Sequence, residues 1–145
     1  MGLYLNPNAD AFQMGLNSEI YVDKSLMIME LNKLVGGQSN FVCVSRPRRF
    51  GKSMAGNMIS AYYSKGCDTR EVFGQMMVGQ KRDYDRYLNK FNVIKLDMNG
   101  WYQNVLQKND ANNLMEYVHL AVKKEFAKQY LDLSFDDAQT IADCM

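Results

Sequence analysis

The chain has 145 residues (16.7 kDa), 47% of them hydrophobic and 23% charged, which is enough apolar material for one domain's core and excludes a disordered tail. With 17 Lys and Arg against 16 Asp and Glu the net charge is +1, which excludes a protein that wraps nucleic acid as a bulk polycation and makes any function local. No apolar run approaches the roughly 18 residues of a membrane span and no secretory leader is apparent, so a soluble, cytoplasmic protein is expected.

Taken in chain order, the first twenty residues carry Asn, Gly and Pro7 among scattered apolar positions and predict an extended segment with little regular structure. Asp23 is placed to cap a helix over residues 24–35, whose apolar face runs from Leu26 to Val35 and which Gly36-Gly37 stop. Phe41-Val42-Cys43-Val44 is a short, β-rich apolar run, the pattern of a strand covered on both faces in a parallel sheet. Gly51-Lys52-Ser53 then leads into a helix with Met54, Met58, Ile59 and Tyr62 at helical spacing, ended by Gly66. Asp68 or Thr69 begins a short helix through Phe73, and Asp83 to Phe91 predicts another, both read as connectors. Val93 to Asp97 predicts a second strand, Asp110 starts a long helix burying Leu114, Tyr117, Val118, Ala121, Val122, Phe126 and Tyr130, and Ser134-Phe135-Asp136-Asp137 opens a last one.

The chemistry concentrates at Arg46-Pro47-Arg48-Arg49-Phe50-Gly51-Lys52-Ser53. A loop that ends in G-K-S at the start of a helix gathers main-chain N–H groups around an anion, and the helix dipole favours negative charge there. Lys52 is expected to reach the β- and γ-phosphates, Ser53 to ligand Mg²⁺, and Gly51 to let the backbone approach the phosphate. The generic phosphate-loop pattern has Gly where this chain has Arg46, and Pro47 removes a donor and stiffens the turn. Arg48 and Arg49 can bind phosphate oxygens in a planar fork, and the plain alternative is a solvated basic turn.

Two motifs together, Tyr21-Val22-Asp23-Lys24-Ser25 and Arg46 to Ser53, resemble a bacterial family of predicted AAA-ATPase-like proteins, with weaker similarity at Phe73 and at Val93-Ile94-Lys95-Leu96-Asp97-Met98. Arg46 in place of Gly is that family's own pattern. The resemblance implies an α/β fold, a P-loop NTPase of the additional-strand type with a parallel sheet and flanking helices, binding ATP and Mg²⁺. It also implies that Asp23 and Lys24 border the nucleotide base, whereas the residues alone read equally as a helix cap and a surface lysine. Longer members carry a nuclease-like domain of the PD-(D/E)XK kind, through which nucleic acid would enter as a partner. No apolar run ending in Asp-Glu is present, so the chain is expected to be the N-terminal part of such a domain, without Walker B and later elements, and to turn over ATP weakly or not at all.

Asp97 is a candidate substitute Mg²⁺ acid at a strand end, against the reading that it caps the Asn99-Gly100 turn; Lys95, interrupting the apolar run, favours the cap. Lys81 to Tyr87 interleaves basic and aromatic residues, but Asp83 and Asp85 favour a solvated helix face. His119, the one histidine, has no ligand-spaced partner, and the widely spaced Cys43, Cys67 and Cys144 point to reduced thiols. Two other readings stand beside ATP binding. One is a non-catalytic module gripping nucleic-acid backbone with Arg46 to Lys52, and the other is a protein or homo-oligomer interface along the helix from Asp110 to Leu131.

Overall fold

The computed structural model describes residues 2–107, 113–131 and 134. They form α1 (Asp10–Leu16), α2 (Leu26–Asn32), α3 (Lys52–Tyr63), α4 (Arg70–Gln75), a 3-10 turn (Met77–Gln80), α5 (Met98–Gln107) and α6 (Leu114–Gln129). The chain divides into two compact units, Pro7–Val93 and the combination of Met1–Asn6 with Ile94–Met145.

In the Pro7–Val93 unit the apolar positions converge on Tyr62 of α3 and Phe73 of α4. Phe12 of α1 stacks on Phe73 with ring centroids 5.2 Å apart, and Tyr62 meets Phe73 edge to face at 5.3 Å, the two geometries that the aromatic quadrupole favours. Ile28, Met58, Ala61, Val78 and Leu88 complete this core. The end of α3 leaves carbonyls without intrahelical partners, and Asn89 supplies them. Its side-chain amide donates to the carbonyls of Ala61 (3.0 Å) and Ser64 (3.1 Å), and its Oδ1 accepts from the Thr69 N–H at 3.1 Å. Asn89 itself sits at φ +55°, a left-handed conformation that Asn tolerates better than most residues.

In the other unit α6 presents Val118, Val122 and Phe126, four residues apart and buried. Glu125 accepts hydrogen bonds from the main-chain N–H groups of Leu3 (2.7 Å), Tyr4 (2.9 Å) and Leu5 (2.8 Å). Gln129 donates to the Leu5 carbonyl at 2.8 Å, and Leu5 lies fully buried with Val122 and Phe126. Leu5 also forms an isolated antiparallel bridge with Ile94. Asp97 Oδ1 accepts the N–H groups of Asn99 and Gly100 at 3.1 and 3.2 Å, which secures the start of α5.

The expected parallel sheet is not formed: among the described residues there are helices and two isolated bridges, Leu5 with Ile94 and Ser64 with Phe91. The α/β P-loop fold class is thereby overturned. A strand exists only with a partner for its main chain, and the Phe41 to Val44 run has none here; Phe41 is 97% exposed and the run adopts no regular structure. Of the second expected strand, Ile94 alone makes a bridge. The opening twenty residues, expected to be irregular, contain α1, because Phe12 has a core to enter. Residues 83–91 are not a helix but successive turns, interrupted by positive φ at Asp83 and Asn89. The helix predicted over 24–35 is shorter, and α5 was not predicted at all. Asp110 lies outside the described residues, as does the last expected helix apart from its opening residue Ser134.

Candidate functional site

α3 begins at Lys52 directly after a tight turn. Gly51 occupies a left-handed conformation (φ +73°, ψ +28°) at the N-cap position, and Arg49 is left-handed as well at φ +66°. No side chain caps the helix, and its first main-chain bond of this turn runs from the Ala55 N–H to the Gly51 carbonyl at 2.9 Å. The N–H groups of Lys52, Ser53 and Met54 thus open the helix without main-chain or side-chain acceptors among the described residues.

The loop is drawn in by two lysines. Lys52 Nζ donates to the Arg46 carbonyl at 2.7 Å, closing the loop on its own first residue. Lys24 Nζ donates to the Phe50 carbonyl at 2.9 Å, bringing the Tyr21 to Ser25 segment against the loop. Gly51 is favoured by its positive φ; a Cβ there would meet only the movable end of the Lys24 side chain, at 2.7 Å from Nζ. Among the described residues none of Lys24, Arg46, Arg48, Arg49 and Lys52 forms an ion pair with a carboxylate. Elsewhere in the unit the basic side chains behave differently. Arg70 pairs with Asp85 at 2.8 Å, and the Arg86 guanidinium lies 5.1 Å from the Tyr87 ring centre. The basic–aromatic run from Lys81 to Tyr87 thus has part of its charge engaged by an ion pair and a ring, whereas the two lysines at the loop meet only neutral carbonyls.

Beside the loop is a pocket of about 390 Å³, within the range of small-molecule sites. Its apolar wall comes from Ile20, Tyr21, Val22, Phe50, Met54 and Met58, and its polar rim from Lys24, Arg49 and Gly51. Both motifs singled out in the sequence therefore line one cavity, although they are separated by α2 in the chain. Burial and the neighbouring Asp23 charge raise the Tyr21 phenol above its ordinary range.

Asp23 turns to a different task. Its Oδ1 accepts the Ser25 N–H at 2.7 Å, and its Oδ2 accepts the Met77 N–H at 2.8 Å. Burial acts to raise this carboxyl, but the hydrogen bonds from Met77 and Ser25 outweigh it and hold Asp23 below the usual carboxylate range. Asp97 belongs to the other unit, where its hydrogen bonds go to α5. Ser53 is exposed on the first turn of α3, and Arg46, Pro47, Arg48 and Phe50 are exposed along the loop.

A family model described as a predicted AAA-ATPase matches residues 10–143. The chain belongs to this AAA-ATPase-like family. No curated protein and no solved structure matches the chain. Membership in a predicted AAA-ATPase family supports nucleotide and Mg²⁺ use in general terms. The matched stretch of this AAA-ATPase-like chain begins at the first residue of α1 and takes in both pocket-lining motifs. Sequence reasoning had not assigned Ile20, Tyr21, Val22, Met54 or Met58 to the site; the signal for them was the apolar residues within the first motif and beside both. No described helix is long and apolar enough to cross a membrane.

Proposed function

We propose that the chain binds a nucleoside triphosphate, ATP with Mg²⁺, at the loop from Arg46 to Ser53. The observation that carries this reading is the placing of Lys24 and Arg49 in the pocket beside the uncapped N-terminus of α3, where Lys52 begins the helix; neither these three nor Arg46 and Arg48 of the same loop have carboxylate partners among the described residues. Unpaired cations and free amide N–H groups suit a polyanion, and left-handed Gly51 lets the backbone come close to it. Lys52 would trade the Arg46 carbonyl for β- and γ-phosphate oxygens, and Arg48 and Arg49 would add planar donors. The Ser53 hydroxyl would hold the Mg²⁺, which supplies charge neutralisation between the phosphates when bound. Tyr21, Val22, Phe50 and Met58 form an apolar wall on which a flat base can lie, with Lys24 at its edge.

Binding is the activity this arrangement favours. The carboxylate within the two motifs, Asp23, spends both oxygens on the Ser25 and Met77 N–H groups, so it is not placed to orient an attacking water. The chain is a nucleotide-binding module with little or no hydrolysis by its own residues.

Titration calorimetry tests this directly. Wild type should bind ATP–Mg²⁺, and Lys52→Ala should lose most of that affinity, on the order of a hundredfold for the loss of a charge-assisted contact to phosphate. Equal binding by the two proteins would overturn the assignment. Affinity for an oligonucleotide that falls steeply with salt and ignores competing ATP would instead support the nucleic-acid-backbone reading.

A further inference from the structure

Lys24 is exposed at the rim of the pocket, yet its ammonium is tied to the main chain of the loop. Its ammonium crosses 26 positions of sequence to donate to the Phe50 carbonyl at 2.9 Å, and it abuts Gly51. An ammonium has three donors, and among the described residues the Phe50 carbonyl is its one hydrogen-bond partner. The side chains on either side of Lys24 reach elsewhere. Asp23 accepts the Met77 N–H at 2.8 Å, and the buried Ser25 Oγ accepts the Val78 N–H at 3.0 Å. Three consecutive side chains therefore join two remote stretches of main chain, the phosphate loop and the 3-10 turn at Met77–Gln80.

We propose that Lys24 is a second phosphate-binding lysine that exchanges the Phe50 carbonyl for a phosphate oxygen when the loop is loaded, and that Asp23 and Ser25 carry this occupancy to the 3-10 turn. The inference rests on phosphate binding at Arg46 to Ser53. A phosphate oxygen is ionised and a peptide carbonyl is neutral, so the ammonium gains a stronger acceptor by the exchange. The two lysines then approach the anion from separate elements, Lys52 from α3 and Lys24 from the segment before α2. Asp23 and Ser25 flank Lys24 directly in sequence and hold Met77 and Val78 by their N–H groups, so a shift of Lys24 bears on those two bonds first.

The test combines titration calorimetry with amide hydrogen exchange on the full chain, using wild type, Lys24→Met, Lys24→Arg and Lys52→Ala, with ATP–Mg²⁺ and tripolyphosphate–Mg²⁺ as probes. Lys24→Met should weaken both ligands about ten- to a hundredfold, the range for loss of a hydrogen bond to a charged group, and Lys24→Arg should restore most of that loss. ATP should raise protection of the Met77 and Val78 amides in wild type and leave it unchanged in Lys24→Met. If Lys24→Met binds as tightly as wild type while Lys52→Ala does not, the role of Lys24 is overturned and the loop assignment stands. Equal weakening by Lys24→Met and Lys24→Arg would show that charge is not the cause and would also overturn it. Unchanged protection at Met77 and Val78 in wild type would overturn the coupling. Failure of wild type to bind either probe would remove the loop assignment together with this one.

Discussion

Asn89 shows how much of the Pro7–Val93 unit hangs on a single side chain. Its amide closes the last carbonyls of α3 and its carbonyl oxygen fixes Thr69 ahead of α4, so one residue joins the end of one helix to the beginning of the next. Asn89→Ala would strip these bonds and place an alanine at positive φ, where its Cβ is strained. The expected loss is about 2–4 kcal/mol, read as a lower urea midpoint with an unchanged slope. Nothing in the sequence marks this residue as special, because its partners, mostly main-chain groups, lie 20 to 28 positions away. Gly51 is the contrary case. Its position before a Lys-Ser pair marked it for a turn that brings the backbone close to a phosphate, and the structure gives it the left-handed turn that glycine adopts without strain.

At the scale of elements, α3 carries both the candidate site and the core, with Lys52 and Ser53 at its start and Tyr62 and Tyr63 at its end. Tyr63 donates to Asn32 Oδ1 at 2.6 Å, and Asn32 donates to the Tyr62 hydroxyl at 3.1 Å, which binds α3 to α2. Burial raises the Tyr63 phenol well above its ordinary value, with Tyr62 and Tyr87 adding to the shift; burial also raises Tyr62, partly offset by the hydrogen bond from Asn32. Because the folded values lie above the unfolded one near pH 10, the stabilisation is fully present below about pH 10 and is lost as pH rises through the folded values. Urea midpoints measured from about pH 8 to 12 should fall steeply above about pH 10, and Tyr63→Phe should flatten that fall.

The helices α3, α4 and α6 were legible because each has apolar residues at helical spacing that find a core. The same rule failed at Phe41 to Val44. Four apolar residues in a row announce burial but not its partner, and a strand's hydrogen bonds are made with residues that the run itself does not contain. The candidate site was proposed from its two motifs, whose residue types describe a ligand's chemistry more than a fold. Their meeting in one pocket was not, since it depends on Lys24 reaching Phe50.

At the scale of the whole molecule, the sequence order of the two units matters. Residues 2–6 belong with those from Ile94 onward, and the Pro7–Val93 unit lies between them in the chain. Glu125 is the acceptor that secures the early segment, so Glu125→Ala should free the amides of Leu3, Tyr4 and Leu5 to exchange with solvent. The partly exposed bonds suggest a cost of about 1–3 kcal/mol, and Glu125→Gln, which keeps one acceptor oxygen, should fall between. Exchange at these three amides that matches wild type in the alanine variant would refute the role given to Glu125.

The Glu125 contact also sets an order of events during synthesis. Leu3 leaves the ribosome 122 positions before the carboxylate that will receive its N–H. At about 5–20 residues per second this is a wait of roughly 6–24 s, long compared with the formation of helices and local turns. Pro7–Val93 is complete in the nascent chain before Glu125 is made, so the Arg46 to Ser53 loop can be assembled while Leu3, Tyr4 and Leu5 still lack the carboxylate that will receive their N–H groups. Newborn chains should therefore form this loop before they acquire their final N-terminal contacts.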